Sequence, residues 1–243
     1  MYGFPNSFKQ RVSTFTIMDP GLTIIPLNGG LFIPGIRSWL AVPKGNPIVS
    51  SSFILGKRDT SFLLLTLDVK RDKMVLLRTK YVNNIDSAER LFSMPISMYD
   101  VKVIGEKGFL LWGRIDNGSA LWKSDFSDVA SVFTSSSVIR DVDYVSENNY
   151  ILAMDSSIMA IGTKKAPEVL FKLDMLVESI SIDKSNDGAV YASTPAGIVR
   201  FNSLDKDDVD VITKEIHGKI RVYQDRLYVL WTERNQVVEI VLK

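Results

Sequence analysis

Polar and apolar residues alternate in short runs along most of the chain. DVKVI (100–104), RDVDYV (140–145), ESISI (178–182) and KIRVY (219–223) each repeat with a period of two. That is the spacing of a β-strand, not of a helix. Each of these runs is followed by two further runs rich in β-branched and aromatic residues. A short stretch of Gly, Asp, Asn, Ser or Pro separates the members of each pair, as in GAVYASTPAGIVRFNS (188–203). This is the signature of a hairpin. The same hairpin shape recurs at 51–68, 108–125, 149–164 and 225–242. A fourth apolar run follows most of the hairpins, at 74–77, 129–133, 169–171 and 209–212.

The repeating unit therefore has four strands. The hairpins that begin at 108, 149, 188 and 225 are 41, 39 and 37 residues apart. A four-stranded unit of about 40 residues marks a β-propeller blade. Stacking such blades covers both faces of each sheet, which explains how runs as apolar as FLLLTL (62–67) can be strands. The fold expected is all-β: a propeller of five blades of four antiparallel strands, closed by an N-terminal strand within 11–17. Six blades is the alternative, if 22–42 with its Gly-Gly turn forms a further sheet. The interval from 51 to 108 is too long by this count. Asp86 followed three residues later by Glu89 resembles a helix N-cap, so 82–96 reads as an inter-blade insert with a short helix. The domain expected is a single propeller over 1–243 with an arm at 1–10.

The chain resembles β-propellers as an architecture, over roughly 11–243, and no particular propeller family. Trp112 is followed by Gly, Trp122 by Lys and Trp231 by Thr, so the Trp-Asp pair of WD40 repeats is missing. Paired kelch glycines do not recur. The sialidase box is approached only by IDNGSALW (115–122).

Composition narrows the chemistry. The charges balance, with 29 Lys plus Arg against 28 Asp plus Glu, so no nucleic-acid partner is expected. Cysteine is absent, which excludes disulfides, thiolate metal sites and a Cys nucleophile. The single histidine, His217, precedes a glycine and reads as a turn residue. No apolar run has the length of a signal core or a membrane span, so a soluble chain without membrane insertion is expected.

Three chemistries remain to be weighed. Asp183-Lys-Ser-Asn-Asp-Gly188 resembles half of a calcium loop, but its acidic closing ligand is missing: Tyr191 and Thr194 occupy those positions. A hairpin turn is the better reading, and no metal or cofactor is expected. Asp19 before Pro20 resembles the start of a five-bladed glycoside hydrolase. Asp141, Asp143 and Glu178 lie on inner strands, where a carboxylate could face a channel. Trp39, Trp112, Trp122 and Trp231 could stack on sugars, but no polar-aromatic set repeats in every blade. The function expected is a non-enzymatic protein-interaction or structural propeller, bound to other protein subunits in a larger assembly. A glycan-binding, lectin-like propeller is the alternative, and a propeller glycoside hydrolase the second. Tyr2, Phe4 and Phe8 of the apolar arm are the expected partner-binding residues.

Overall fold

The structure, a computed structural model, describes residues 2–3, 15–19, 22–27, 30–33, 38–41, 48–55, 60–68, 71, 73–80, 87–94, 98–105, 108–162, 165–185, 188–202, 209–231, 233–234 and 236–242. The described residues are mostly strand, joined by turns and bends, with almost no helix. They form six four-stranded antiparallel sheets, the blades of a β-propeller. Two compact units hold three sheets each: residues 8–136, and 137–243 together with 1–7.

In the first unit, β2 (Thr16–Asp19), β3 (Leu22–Leu27), β4 (Gly30–Ile33) and β5 (Ser38–Ala41) make one sheet. Next come β6 (Ile48–Leu55), β7 (Thr60–Asp68), β8 (Lys73–Thr79) and β9 (Glu89–Met94). The third sheet is β10 (Met98–Ile104), β11 (Gly108–Ile115), β12 (Gly118–Ser124) and β13 (Val129–Ser135).

In the second unit, β14 (Ile139–Ser146), β15 (Asn149–Met154), β16 (Ser157–Gly162) and β17 (Lys165–Lys172) form the fourth sheet. The fifth contains β18 (Ser179–Ile182), β19 (Val190–Thr194), β20 (Gly197–Phe201) and β21 (Val209–Thr213). The last contains β22 (Lys219–Tyr223), β23 (Arg226–Trp231) and β24 (Gln236–Val241), and its outer strand is β1 (Tyr2–Gly3).

Three expectations change. The sheet count is that of the six-blade alternative, because 22–41 supplies three strands of a sheet of its own. An N-terminal strand does complete the last sheet, but it is Tyr2–Gly3, paired with Val237 and Gln236. Thr16–Asp19, which overlaps the run expected to close the ring, instead pairs with β3. Within 82–96, Glu89–Met94 is the outer strand of the second sheet, paired with β8 from Met74 to Arg78.

The sheets bury both faces, and β19 shows how. All five of its residues are buried. Val190 and Ala192 pack toward the fourth sheet, with Ile151, Leu170, Phe171 and Phe201. Tyr191 points the other way, into a cluster with Ile220, Leu227 and Val229 of the last sheet. In the first unit Leu63 and Leu65 pack with Phe109, Leu111 and Trp122 of the third sheet, while Leu64 is equally buried. Two-sided burial turns the alternating pattern of a half-buried strand into a continuous apolar run.

Hairpins at matching places use glycine for the same reason. Gly118 and Gly197 open the third strands of their sheets with φ of +144° and +125°. A Cβ at either would lie 1.9–2.0 Å from the carbonyl oxygen of Ser135 or Thr213, which end the fourth strands. Only a residue without a side chain allows that approach.

Candidate functional site

The first strand of each sheet has one edge paired with the second strand. Its other edge carries backbone N–H groups that need acceptors. In the second unit side chains supply them. Asp141 on β14 accepts from its neighbour's Val142 N–H at 2.9 Å and, across to the next sheet, from the Ser179 hydroxyl and the Ile180 N–H at 3.2 Å. Ser179 Oγ in turn accepts the Ile220 N–H of β22 at 3.1 Å. Two residues along, the arrangement repeats. Asp143 accepts from Tyr144 N–H at 2.8 Å, Ile182 N–H at 3.0 Å and the Ser181 hydroxyl at 3.4 Å. Ser181 Oγ accepts the Val222 N–H at 2.9 Å. The result is a two-rung ladder linking β14, β18 and β22. In the first unit, the Ser50 hydroxyl donates to Asp100, which also accepts the Val101 N–H at 2.9 Å.

The upper rung is also an ion cluster. Asp141 is 0% exposed. Lys219 Nζ lies 2.8 Å from one of its oxygens and an Arg221 guanidinium nitrogen 3.1 Å from the other. Those cations come from the polar positions of β22. Near the lower rung, Lys184 Nζ sits 2.9 Å from the Tyr144 ring centroid. Burial pushes the Lys184 ammonium pKa down, and the Asp143 carboxylate opposes that shift.

This arrangement reassigns the residues named for hydrolysis. Asp141 and Asp143 are bound into the ladder. Glu178 stands apart, with its carboxylate 2.9 Å from His217 Nδ1, and Glu233 lies 3.7 Å from the other ring nitrogen. Asp19 is in β2, whose backbone alone is described. His217 lies in the connection just before β22, and Gly218 donates its N–H to Ser193 Oγ at 2.9 Å. At the acidic loop, Asp183 accepts from the Ser185 N–H at 2.9 Å and its hydroxyl at 2.7 Å, and Gly188 has φ of +75°. This is an Asx turn. Among the described residues, no three metal-binding side chains cluster.

Trp112 and Trp122 are buried in the third sheet, where they cannot stack on a sugar. Trp231 is partly exposed, with the Arg234 guanidinium 4.4 Å from its ring. Trp39 lies in β5. Tyr2 is in β1, while Phe4 and Phe8 lie outside the described residues.

A second region draws attention by its exposure. The outer strands β17 and β21 of the second unit carry Val169, Val209 and Val211 on the surface, with Val169 47% and Val211 58% exposed. Between β17 and the β20–β21 pair is a cavity of about 310 Å³. Val169, Leu170, Phe171, Leu173, Val199, Phe201 and Val209 line it, and among the described residues Lys172 is its one charged wall residue. Phe171 and Phe201 stack there with centroids 3.9 Å apart. The sequence contained the valines but not the cavity, which depends on two sheets spreading apart at their outer strands.

No protein-family model matches the chain, and no curated protein matches it. Solved structures do. The structure of U3-55K matches with a TM-score of 0.66 at 11% identity, covering 98% of this chain and 83% of that one. BBS1N, solved in complex with ARL6DN, matches at 0.62 and 10%, covering 96% and 78%. The Dos1 propeller matches at 0.58 and 10%, covering 92% and 65%. An ancestral GH74 enzyme also matches, at 0.61 and 11%, and this chain spans 34% of its length. At such identities the likeness establishes the propeller fold alone.

Proposed function

We propose that this chain is a non-enzymatic propeller that binds other proteins within a larger assembly. The observation that carries the reading is the exposed valine on two outer strands of the second unit, Val169 on β17 and Val209 and Val211 on β21. Exposed apolar side chains grouped on a surface mark interaction sites, whereas scattered ones need no explanation. The ladder supports the reading from the other side. Glycosidic chemistry uses two carboxylates facing one cleft, and Asp141 and Asp143 are occupied by neighbouring strands. BBS1N, a propeller neighbour by shape, was solved with a protein partner. Tyr2, Phe4 and Phe8 of the N-terminal arm are proposed as an additional partner contact.

The test is gentle isolation of the tagged chain from its native cells, followed by size-exclusion chromatography. The reading expects a stoichiometric protein partner that is lost from the Val209→Glu, Val211→Glu double variant. A chain that elutes as a monomer, or a partner indifferent to both substitutions, would sink it.

A further inference from the structure

We propose that the cavity between β17 and the β20–β21 pair receives a large apolar side chain, leucine or phenylalanine, from a partner-protein segment with a carboxylate next to it. The inference rests on the interaction reading above and names the chemistry of the partner.

Size and lining point to an anchor residue. At about 310 Å³ the cavity lies at the small end of ligand pockets, which run from about 300 to 1,000 Å³. Among the described residues its walls are aliphatic and aromatic apart from Lys172. The stacked Phe171 and Phe201 are both buried and form a rigid wall, while Val169 and Val209 stand half-exposed at the rim. An inserted side chain would bury both valines as it seats. Such a hydrophobic anchor in a preformed pocket is the usual centre of a protein interface.

Charge identifies the neighbour of the anchor. Lys172 is exposed and, among the described residues, makes no ion pair. The nearest acidic group on β21, Asp210, already accepts from Asn202 Nδ2 at 2.7 Å. Among the described residues, an ammonium on this apolar wall favours a segment bearing carboxylates and disfavours one bearing ammonium groups. The continuation of exposed apolar surface from Val209 to Val211 favours a protein segment over a small molecule confined to the pocket.

The experiment is a methyl-detected NMR titration of the full chain with three tetrapeptides: Ac-Glu-Leu-Phe-Glu-NH2, Ac-Lys-Leu-Phe-Lys-NH2 and Ac-Glu-Ala-Ala-Glu-NH2. The first should give saturable shifts at the methyls of Leu173, Val199 and Val209. The lysine peptide should bind about threefold more weakly, the worth of a partly exposed ion pair. The alanine peptide should leave those methyls unmoved. In Lys172→Glu, an exposed substitution whose fold the same spectrum checks, the order of the two leucine-phenylalanine peptides should reverse. Equal shifts with all three peptides, silence at the cavity methyls, or a charge order unchanged by Lys172→Glu would overturn the proposal. So would shifts of these methyls with protein concentration alone, which would assign the cavity to a second copy. If the native partner is retained while the peptides fail, the interaction reading stands and this inference falls.

Discussion

Asp141→Asn tests whether the inner carboxylates belong to the architecture. The substitution keeps the shape of the side chain and removes its charge. In the native chain the carboxylate is fully buried and faces Lys219, Arg221, the Ser179 hydroxyl and the N–H groups of Val142 and Ile180. Asparagine retains one acceptor oxygen, and its NH2 group would point at donors. Lys219 and Arg221, whose side chains are only 11% and 12% exposed, would lose the Asp141 carboxylate as a partner. Removing one partner of a buried pair costs about 3–5 kcal/mol, and the residual exposure of the cations puts this case near 3. With a urea slope of about 3 kcal/mol/M for a chain of this size, the midpoint should fall by about 1 M. Tryptophan fluorescence would follow the transition. Adding Lys219→Met and Arg221→Met should recover part of the loss, because an apolar replacement of a buried cluster leaves no unpaired charge. A midpoint unchanged or raised by Asp141→Asn would refute this reasoning. It would place Asp141 among residues kept for function at the expense of stability.

Three other positions give separate checks. Gly197→Ala forces a side chain into the Thr213 carbonyl at φ of +125° and should cost at least about 2 kcal/mol; Gly188→Ala, at φ of +75° with open space around it, should cost about 1. Thermal unfolding of the pair would show the reverse order if the close strand approach were absent. The Asp125 carboxyl accepts from the Ser127 hydroxyl, the Asp128 N–H and the Ser127 N–H, which hold its pKa at about 2 against an ordinary 3.8. Because the folded value is depressed, its stabilisation is present above pH 3.8 and is lost as the pH falls through 2. Carboxyl NMR should find that midpoint, and Ser127→Ala should raise it; an ordinary midpoint in the native chain would contradict the loop geometry.

The strands and their four-fold grouping could be read from the sequence because a period of two needs no tertiary information. Strand register within the second sheet was harder to read. The hairpin read at 51–68 is β6 with β7, the first pair of its sheet, whereas those read at 108, 149, 188 and 225 are second pairs. Counted from second strands, the sheets begin at 22, 60, 108, 149, 190 and 226, and most of the apparent insert disappears. The one-strand offset concealed the first sheet, whose strands are short, and made β9 look like a helix start. The ladder was hidden for a different reason. From the sequence, one carboxylate of Asp141, Asp143 and Glu178 could face a channel, yet Asp141 and Asp143 face the neighbouring strand edge. On β22, the third strand of the ladder, the donors include the backbone N–H groups of Ile220 and Val222, which any residue but proline supplies. Residue type at those positions therefore carries no signal. The cavity depends on the spread between two outer strands and was not legible at all.

Hydrogen exchange at the Ile220 and Val222 amides tests the central claim most directly, that the polar residues of the inner strands bind sheet to sheet. Those N–H groups donate to Ser179 and Ser181 side chains rather than to a paired strand. The account predicts slow exchange at both in the native chain, and much faster exchange in Ser179→Ala, Ser181→Ala with β23 amides still protected. Exchange at solvent-exposed rates in the native chain, or protection untouched by the double substitution, would contradict it.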